Sequence, residues 1–169
     1  MSLRKLRRNT QNEILFVSQD LERTIIGKER DVKIKKASRK DVKVLSLPGR
    51  DAWILVSKDS LGAKTISFIE VHIKPGEYTN PPHLHTDFEE VIHIKEGIAE
   101  IWLEGDFARA QKGEAILIPI NAKHAVKNIG VSTLKLLTVF PFPDRSKGHV
   151  DYEDCRITEW SRMDNDFRD

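Results

Sequence analysis

The sequence predicts an all-β protein built around one domain, and three observations support this. Between residues 32 and 142, short segments rich in β-branched and apolar residues alternate with turn residues such as Pro48 and Gly49. No stretch of this region shows sustained helical periodicity. The length of 169 residues also suits a single domain that buries most of its apolar surface.

The predicted strands follow one another with only turns between them. In the second half of the region, the breaks coincide with Gly97, Gly105, Gly113 and Gly130. The strands are predicted over residues 42–47, 52–57, 64–73, 90–94, 98–103, 115–118, 124–128 and 133–140.

Two segments of different composition flank this region. We predict an N-terminal arm over residues 1–30, a barrel over residues 31–145 and a C-terminal tail over residues 146–169. Apolar residues between positions 14 and 26 have spacings that fit a helix or a strand exchanged with a second copy of the chain. In the tail, Ile157, Trp160 and Met163 fit one side of a short helix.

Charge and composition exclude several classes of function. Residues 1–40 hold twelve Lys or Arg and five Asp or Glu, a net +7, and residues 151–169 hold three and seven, a net −4. A short basic terminal run is more often a solvated tail than a nucleic-acid site, so we expect no nucleic-acid partner. No apolar run is long enough to cross a bilayer, and Cys155 has no partner for a disulfide. We expect a cytoplasmic protein without a membrane contact.

One group of residues has a spacing that suggests chemistry. Gly76 precedes the pair His83 and His85, Glu90 follows, and six residues separate Glu90 from Gly97. In a strand, side chains two positions apart share a face, so the two histidines can point together into a barrel.

A second group lies about forty residues further along. It contains Gly113, Pro119, His124 and Asn128, with Asn121 between the proline and the histidine. Together the two groups resemble the two motifs of the cupin family. Asn121 stands where the family motif has glycine, and asparagine is the non-glycine residue that best adopts a left-handed conformation.

The resemblance implies a fold and a metal site. The fold is a double-stranded β-helix, the cupin jelly-roll barrel, here in a single copy. Gly76 stands one residue further from His83 than is usual, a difference that a loop absorbs. Small cupins of this kind are commonly homodimers, so a homodimer is expected.

The resemblance further implies that His83, His85, Glu90 and His124 bind a metal. Three imidazoles and one carboxylate suit a divalent ion such as Fe, Mn, Ni, Co or Zn, and they leave coordination positions open. Glu89 competes with Glu90, but only Glu90 has the six-residue interval to Gly97, and strand alternation turns Glu89 to the opposite face.

Residues near the predicted ligands are candidates for substrate contacts. Val126 and Asn128 share the face of His124, Phe140 belongs to an apolar strand face, and the loop before His83 carries two polar candidates. The predicted substrate-binding set is Tyr78, Asn80, Val126, Asn128 and Phe140. Arg50 is a candidate anion anchor or a surface residue. No catalytic residue beyond the metal ligands is identified.

Two functions from different classes fit this sequence. The first is a metal-dependent cupin enzyme acting on a small polar metabolite, of the dioxygenase, isomerase or decarboxylase type. The second is a non-catalytic module that binds or senses a small molecule. Both use the same site residues, so the sequence does not separate them.

Overall fold

The computed structural model describes residues 3–8, 14–18, 33–144 and 146–160. The chain divides into two units, Met1–Lys35 and Lys36–Asp169. In the first unit, strand β1 (Leu3–Arg8) pairs antiparallel with strand β2 (Ile14–Ser18). The predicted N-terminal arm therefore contains two strands, while its apolar residues Leu21, Ile25 and Ile26 lie outside the described residues.

The second unit contains two antiparallel sheets, which confirms the all-β prediction. Its strands are β3 (Val44–Leu47), β4 (Arg50–Val56), β5 (Ser67–Ile73), β6 (His83–His85), β7 (Glu90–Glu96), β8 (Ile98–Leu103), β9 (Asp106–Gln111), β10 (Ala115–Ile118), β11 (His124–Asn128), β12 (Leu134–Phe140) and β13 (His149–Asp151). One sheet has the order β10, β7, β12, β5, β4, β3, and the other has the order β13, β6, β11, β8, β9. This arrangement is typical of the double-stranded β-helix of cupins.

Alternating burial along the strands shows which faces look inward. In β12, Leu134, Leu136, Thr138 and Phe140 are buried, while the residues between them are half-buried. The buried apolar side chains of both sheets form one cluster, to which β8 contributes Ala99 and Ile101. Since burial of apolar surface is the main driving force of folding, this cluster fixes the inner face of each sheet.

Strand β9 and helix α1 (Lys58–Leu61) were not predicted from the sequence. Strand β9 lies at the edge of its sheet, and Ala110 is its only buried residue. Helix α1 is a single turn whose N-cap, Ser57, accepts hydrogen bonds from the backbone N–H groups of Asp59 and Ser60.

Over the ranges described above, no helix combines the length and apolar composition that a bilayer span requires.

The C-terminal region differs from the predicted tail. It adds β13 to the edge of the five-stranded sheet, next to β6. Ile157 and Trp160 lie in an irregular segment instead of the predicted helix, and Met163 is outside the described residues. The Trp160 ring lies 5.6 Å from the Tyr78 ring and 5.7 Å from the Phe107 ring, between centroids.

Turn residues bring the strands to their positions. Asn121 has a φ of +62°, the left-handed conformation expected where the motif usually has glycine. Its backbone N–H donates to the His85 carbonyl over 2.8 Å, which ties the turn before β11 to strand β6. The substitution of glycine by asparagine is therefore compatible with the fold.

Gly97 joins β7 to β8 and is expected to be the least replaceable of the motif glycines. Its φ is +93°, and a Cβ atom there would lie 3.1 Å from the Cα of Leu134, a buried residue of β12. We expect Gly97→Ala to lower the free energy of unfolding by roughly 2–3 kcal/mol, because backbone strain adds to a contact that the sheet cannot easily relieve. Urea denaturation measures this change.

Gly113→Ala is the matched control for this substitution. Gly113 has the same φ of +93°, but a Cβ atom there would meet no atom within 4 Å. The control should cost only about 1 kcal/mol, the contribution of the left-handed conformation. Equal losses in the two variants would show that the approach to Leu134 is unimportant.

Candidate metal centre

Both sheets contribute donors to one buried cluster. His83 and His85 lie on β6, and His124 lies directly opposite His83 on the neighbouring strand β11. Glu90 begins β7, which belongs to the other sheet. The carboxylate therefore meets the three imidazoles in the interior, because the inner faces of the two sheets look toward each other.

The donor atoms lie close together and away from solvent. The Nε2 atoms of His85 and His124 are each 3.1 Å from Oε2 of Glu90. One nitrogen or oxygen of each of the four residues lies within 4.8 Å of the corresponding atoms of the others. His83 is 8% exposed, Glu90 is 4% exposed, and His85 and His124 are each 1% exposed.

The electrostatics of the cluster keep Glu90 charged and His83 neutral. Burial alone would raise the pKa of Glu90, but hydrogen bonds from His124 and His85 outweigh it and hold that pKa well below its usual range. Burial lowers the pKa of His83 well below its usual range, and the neighbouring His124 ring lowers it further. A carboxylate beside neutral imidazole is the protonation state that divalent ions require of their ligands.

The hydrogen bonding of His124 provides a test of whether these residues fit a metal. Its Nδ1 lies 3.0 Å from the Ala122 carbonyl, which only accepts, so Nδ1 carries a proton. Nε2 therefore faces the Glu90 carboxylate, to which it donates a hydrogen bond when it is protonated and beside which it can bind a divalent ion when it is deprotonated. Two donors about 2.1 Å from one ion and at right angles lie about 3.0 Å apart, close to the observed separation. The four residues fit a divalent ion.

The neighbouring candidates are oriented away from this cluster. Glu89 is exposed, whereas Glu90 is buried, so alternation at the start of β7 separates the two carboxylates as expected. His93 is half-buried, and it alternates with the buried Ile92 and Ile94. The cluster can bind a metal through Glu90, and neither Glu89 nor His93 belongs to it.

A cavity adjoins the cluster and is mainly apolar. Its polar side chains are Arg50, Thr79 and Thr138, together with the donors His83, Glu90 and His124. The apolar lining consists of Leu47, Ala52, Ile69, Val71, Ile92, Val126, Leu136 and Phe140. Thr79 is fixed to β11, since its hydroxyl accepts from the Val126 backbone N–H over 2.9 Å.

The residues predicted to contact substrate lie in different places. Val126 and Phe140 line the cavity. Asn80 is exposed and lines an outer cleft, and Tyr78 is half-buried beside Trp160. The Asn128 amide donates to the carbonyls of Ile73 and Ser132 over 2.8 and 2.7 Å, and its Oδ1 accepts from the Gly130 N–H over 2.9 Å. The side chain of Asn128 therefore holds a turn, and its contact with substrate stays a prediction.

His149 and Asp151 are near the centre and were not singled out in the sequence. In β13 they pair with His85 and His83 respectively, so they lie on the same face as those donors. The His149 ring stacks on the His83 ring with centroids 4.6 Å apart, and His149 Nε2 lies 2.8 Å from Asp151 Oδ1. In the sequence, the spacing of His149 and Asp151 could have indicated that both lie on one face of a strand. The segment is rich in Asp and Glu, however, so this spacing did not stand out.

Comparison with known proteins places the chain in a family. The sequence profile of the cupin domain matches residues 69–140, a stretch that contains all four donors. The chain is 31% identical over 114 residues to the polyketide synthase CurC of Streptomyces cyaneus, an alignment that covers 66% of this chain and 73% of CurC. It is also 31% identical to protein SchB of Streptomyces halstedii, over 65% of this chain and 80% of SchB. The chain belongs to the cupin family.

Solved structures show the same fold. The polyketide cyclase RemF from Streptomyces resistomycificus superimposes with a TM-score of 0.59 at 27% identity, over 75% of this chain and 89% of RemF. A formate complex of the oxalate decarboxylase of Lactobacillus farciminis also gives a TM-score of 0.59, at 28% identity over 66% of this chain. This chain spans only 34% of that decarboxylase.

Proposed function

We propose that the protein is a metal-dependent cupin enzyme acting on a small organic molecule with polar groups. The observation that supports this most directly is the meeting of His83, His85, Glu90 and His124 at a buried point beside a cavity. Such a ligand set suits catalysis better than a closed structural site, because four protein donors leave open positions on a six-coordinate ion.

Different residues have different roles in such a site. A divalent ion held there supplies Lewis acidity to substrate oxygen atoms. His83, His85, Glu90 and His124 would hold the ion, and the carbonyl of Ala122 fixes the orientation of the His124 ring. The apolar walls exclude water from the reacting molecule, while the hydroxyls of Thr79 and Thr138 are available to orient it.

The relatives favour one reaction type within this proposal. Likeness to RemF, a polyketide cyclase, covers most of both chains, so we favour an isomerisation or cyclisation over oxygen insertion. In the described lining of the cavity, the acid or base groups are the metal ligands themselves. A proton shift there would therefore use a bound water as its base, because the lowered pKa of Glu90 makes that carboxylate a weak base.

That same lining favours a second candidate, a non-catalytic binding cupin. An enzyme that transfers protons usually carries a dedicated acid or base beside its substrate, and the described cavity wall offers none beyond the metal ligands. This candidate expects metal-dependent binding of a small molecule without any product.

Metal analysis combined with substrate trials tests the proposal. Protein purified without chelator should carry about one divalent ion per chain, and His83→Ala and His124→Ala should lose it, because each removes a donor from a four-donor site. His93→Ala is the control, since His93 alternates with the inward residues of β7. Retention of the ion in both donor variants would overturn the proposal.

The loaded wild type is then incubated with uronates, keto acids, catechols and aromatic polyketones, with and without EDTA. Product formed only with the metal supports an enzyme. Binding without product supports the second candidate instead.

The expected homodimer stays a prediction, and one surface of the six-stranded sheet is suited to it. Directly paired residues Leu117, Val91, Val139 and Phe68 form an apolar row across β10, β7, β12 and β5. Leu117 is 55% exposed and Val91 is 39% exposed. Sedimentation of the full chain would decide between monomer and dimer.

A further inference from the structure

Arg50 lies where the cavity meets the surface. It is the first residue of β4 and lines the same cavity as His83, Glu90 and His124. It also lines an outer cleft together with Asn80, Pro81 and His149. Leu47 and Arg50 line both the cavity and the outer cleft, and Arg50 is the charged residue of the two.

The backbone around Arg50 is shaped to hold it there. Its Nη1 donates to the Asn80 carbonyl over 3.2 Å and to the Pro48 carbonyl over 3.4 Å. Gly49 has a φ of +75°, and a Cβ atom at this position would come within 2.0 Å of the Tyr78 carbonyl oxygen. Only glycine permits this close approach, so the β3–β4 turn is fitted against the loop that leads into His83.

The charges of the cavity favour an anionic ligand. Among the described lining residues, Arg50 is the one Lys or Arg side chain and Glu90 is the one acidic side chain. A divalent ion held there would carry one positive charge more than the Glu90 carboxylate offsets, and Arg50 adds another positive charge beside it. A guanidinium binds a carboxylate through two parallel hydrogen bonds, an arrangement that lysine cannot reproduce.

The apolar side chains of the cavity wall favour an apolar body for the rest of the ligand. Ile69, Val71, Ile92, Leu136 and Phe140 present aliphatic or aromatic surface to the cavity. A molecule that is polar throughout would lose hydration there without compensation, whereas one with an apolar body would not.

We propose that Arg50 recognises the anionic group of a ligand whose body is apolar, such as an aromatic carboxylate. This inference rests on the proposed function of the metal centre, and it names the ligand class that the centre serves. Arg50 would determine specificity and place the ligand relative to the donors, without itself binding the ion.

Benzoate and its neutral isostere benzamide test the proposal on protein loaded with Co²⁺. Calorimetry should show that the wild type binds benzoate more tightly than benzamide. Arg50→Met should weaken benzoate binding at least about tenfold and change benzamide binding by less than about twofold, because charge-assisted hydrogen bonds are lost only for the anion. Arg50→Lys should be intermediate, and Arg109→Met, at an exposed position on β9, should match the wild type.

Several outcomes would overturn the proposal. They are an unchanged benzoate affinity in Arg50→Met, an equal loss for both ligands, and a loaded wild type that binds no benzoate. Cobalt content is measured for every variant. Failure of the wild type to hold the ion would refute the proposed function, whereas a loaded protein with unaltered benzoate preference in Arg50→Met would refute only the role of Arg50.

Discussion

Glu90→Gln is expected to lower the affinity for divalent metal at least about a hundredfold. Even the replacement of a residue that only hydrogen-bonds to a metal ligand lowers metal affinity roughly 10–100-fold. The amide keeps the shape of the side chain but removes the only negative charge among the four donors. Glu90 is 4% exposed, and its Oε2 is 3.1 Å from both His85 and His124, so no water can take over its role without rearrangement. Titration with Co²⁺, followed by its absorption spectrum, measures the affinity.

Glu89→Gln provides the matched comparison. It makes the same chemical change one residue earlier, at an exposed position. We expect its metal affinity to remain within about twofold of the wild type, because an exposed charge is screened by water and salt. If Glu89→Gln lost the metal while Glu90→Gln kept it, the assignment of the carboxylate donor would be wrong.

Asn128→Ala is expected to have the largest effect on stability of any single polar substitution in the barrel. Asn128 is fully buried, and its amide satisfies the carbonyls of Ile73 and Ser132 as well as the N–H of Gly130. Truncation leaves these backbone groups without their partner, at a cost of roughly 2–4 kcal/mol. Urea unfolding of the metal-free protein measures the loss.

The metal affinity of Asn128→Ala separates two roles for this residue. If Asn128 holds a turn, the folded variant should bind the ion nearly as well as the wild type. A variant of normal stability that fails to bind small molecules would instead assign Asn128 to the substrate site, as alternation along the strand predicts.

The candidate metal centre could be predicted because the chain resembles the two cupin motifs, and local patterns within the motifs agree with that resemblance. His83 and His85 share a face by the two-residue repeat of a strand, and the interval from Glu90 to Gly97 distinguishes Glu90 from Glu89. The inward face of β12 followed in the same way from its regular alternation of residues. Each of these inferences needs only the periodicity of one strand or the spacing within one motif.

Other features depend on contacts between distant segments. Strand β9 has one buried residue, so its sequence lacks the alternation that marks a strand. Strand β13 has three residues in an acidic segment and exists through its pairing with β6, more than sixty positions earlier. The hydrogen bonds of the Asn128 side chain also could not be predicted, because alternation gives the face of a residue but not the backbone groups that turns bring to it.

The division of the donors between layers has a thermodynamic consequence. Three of them belong to one sheet and the fourth to the other, so an ion shared by all four would cross-link the halves of the sandwich. Global unfolding must then release that ion, and the melting temperature should rise with the logarithm of its free concentration. Cellular supply of the metal would in this way set how long the polypeptide survives proteolysis.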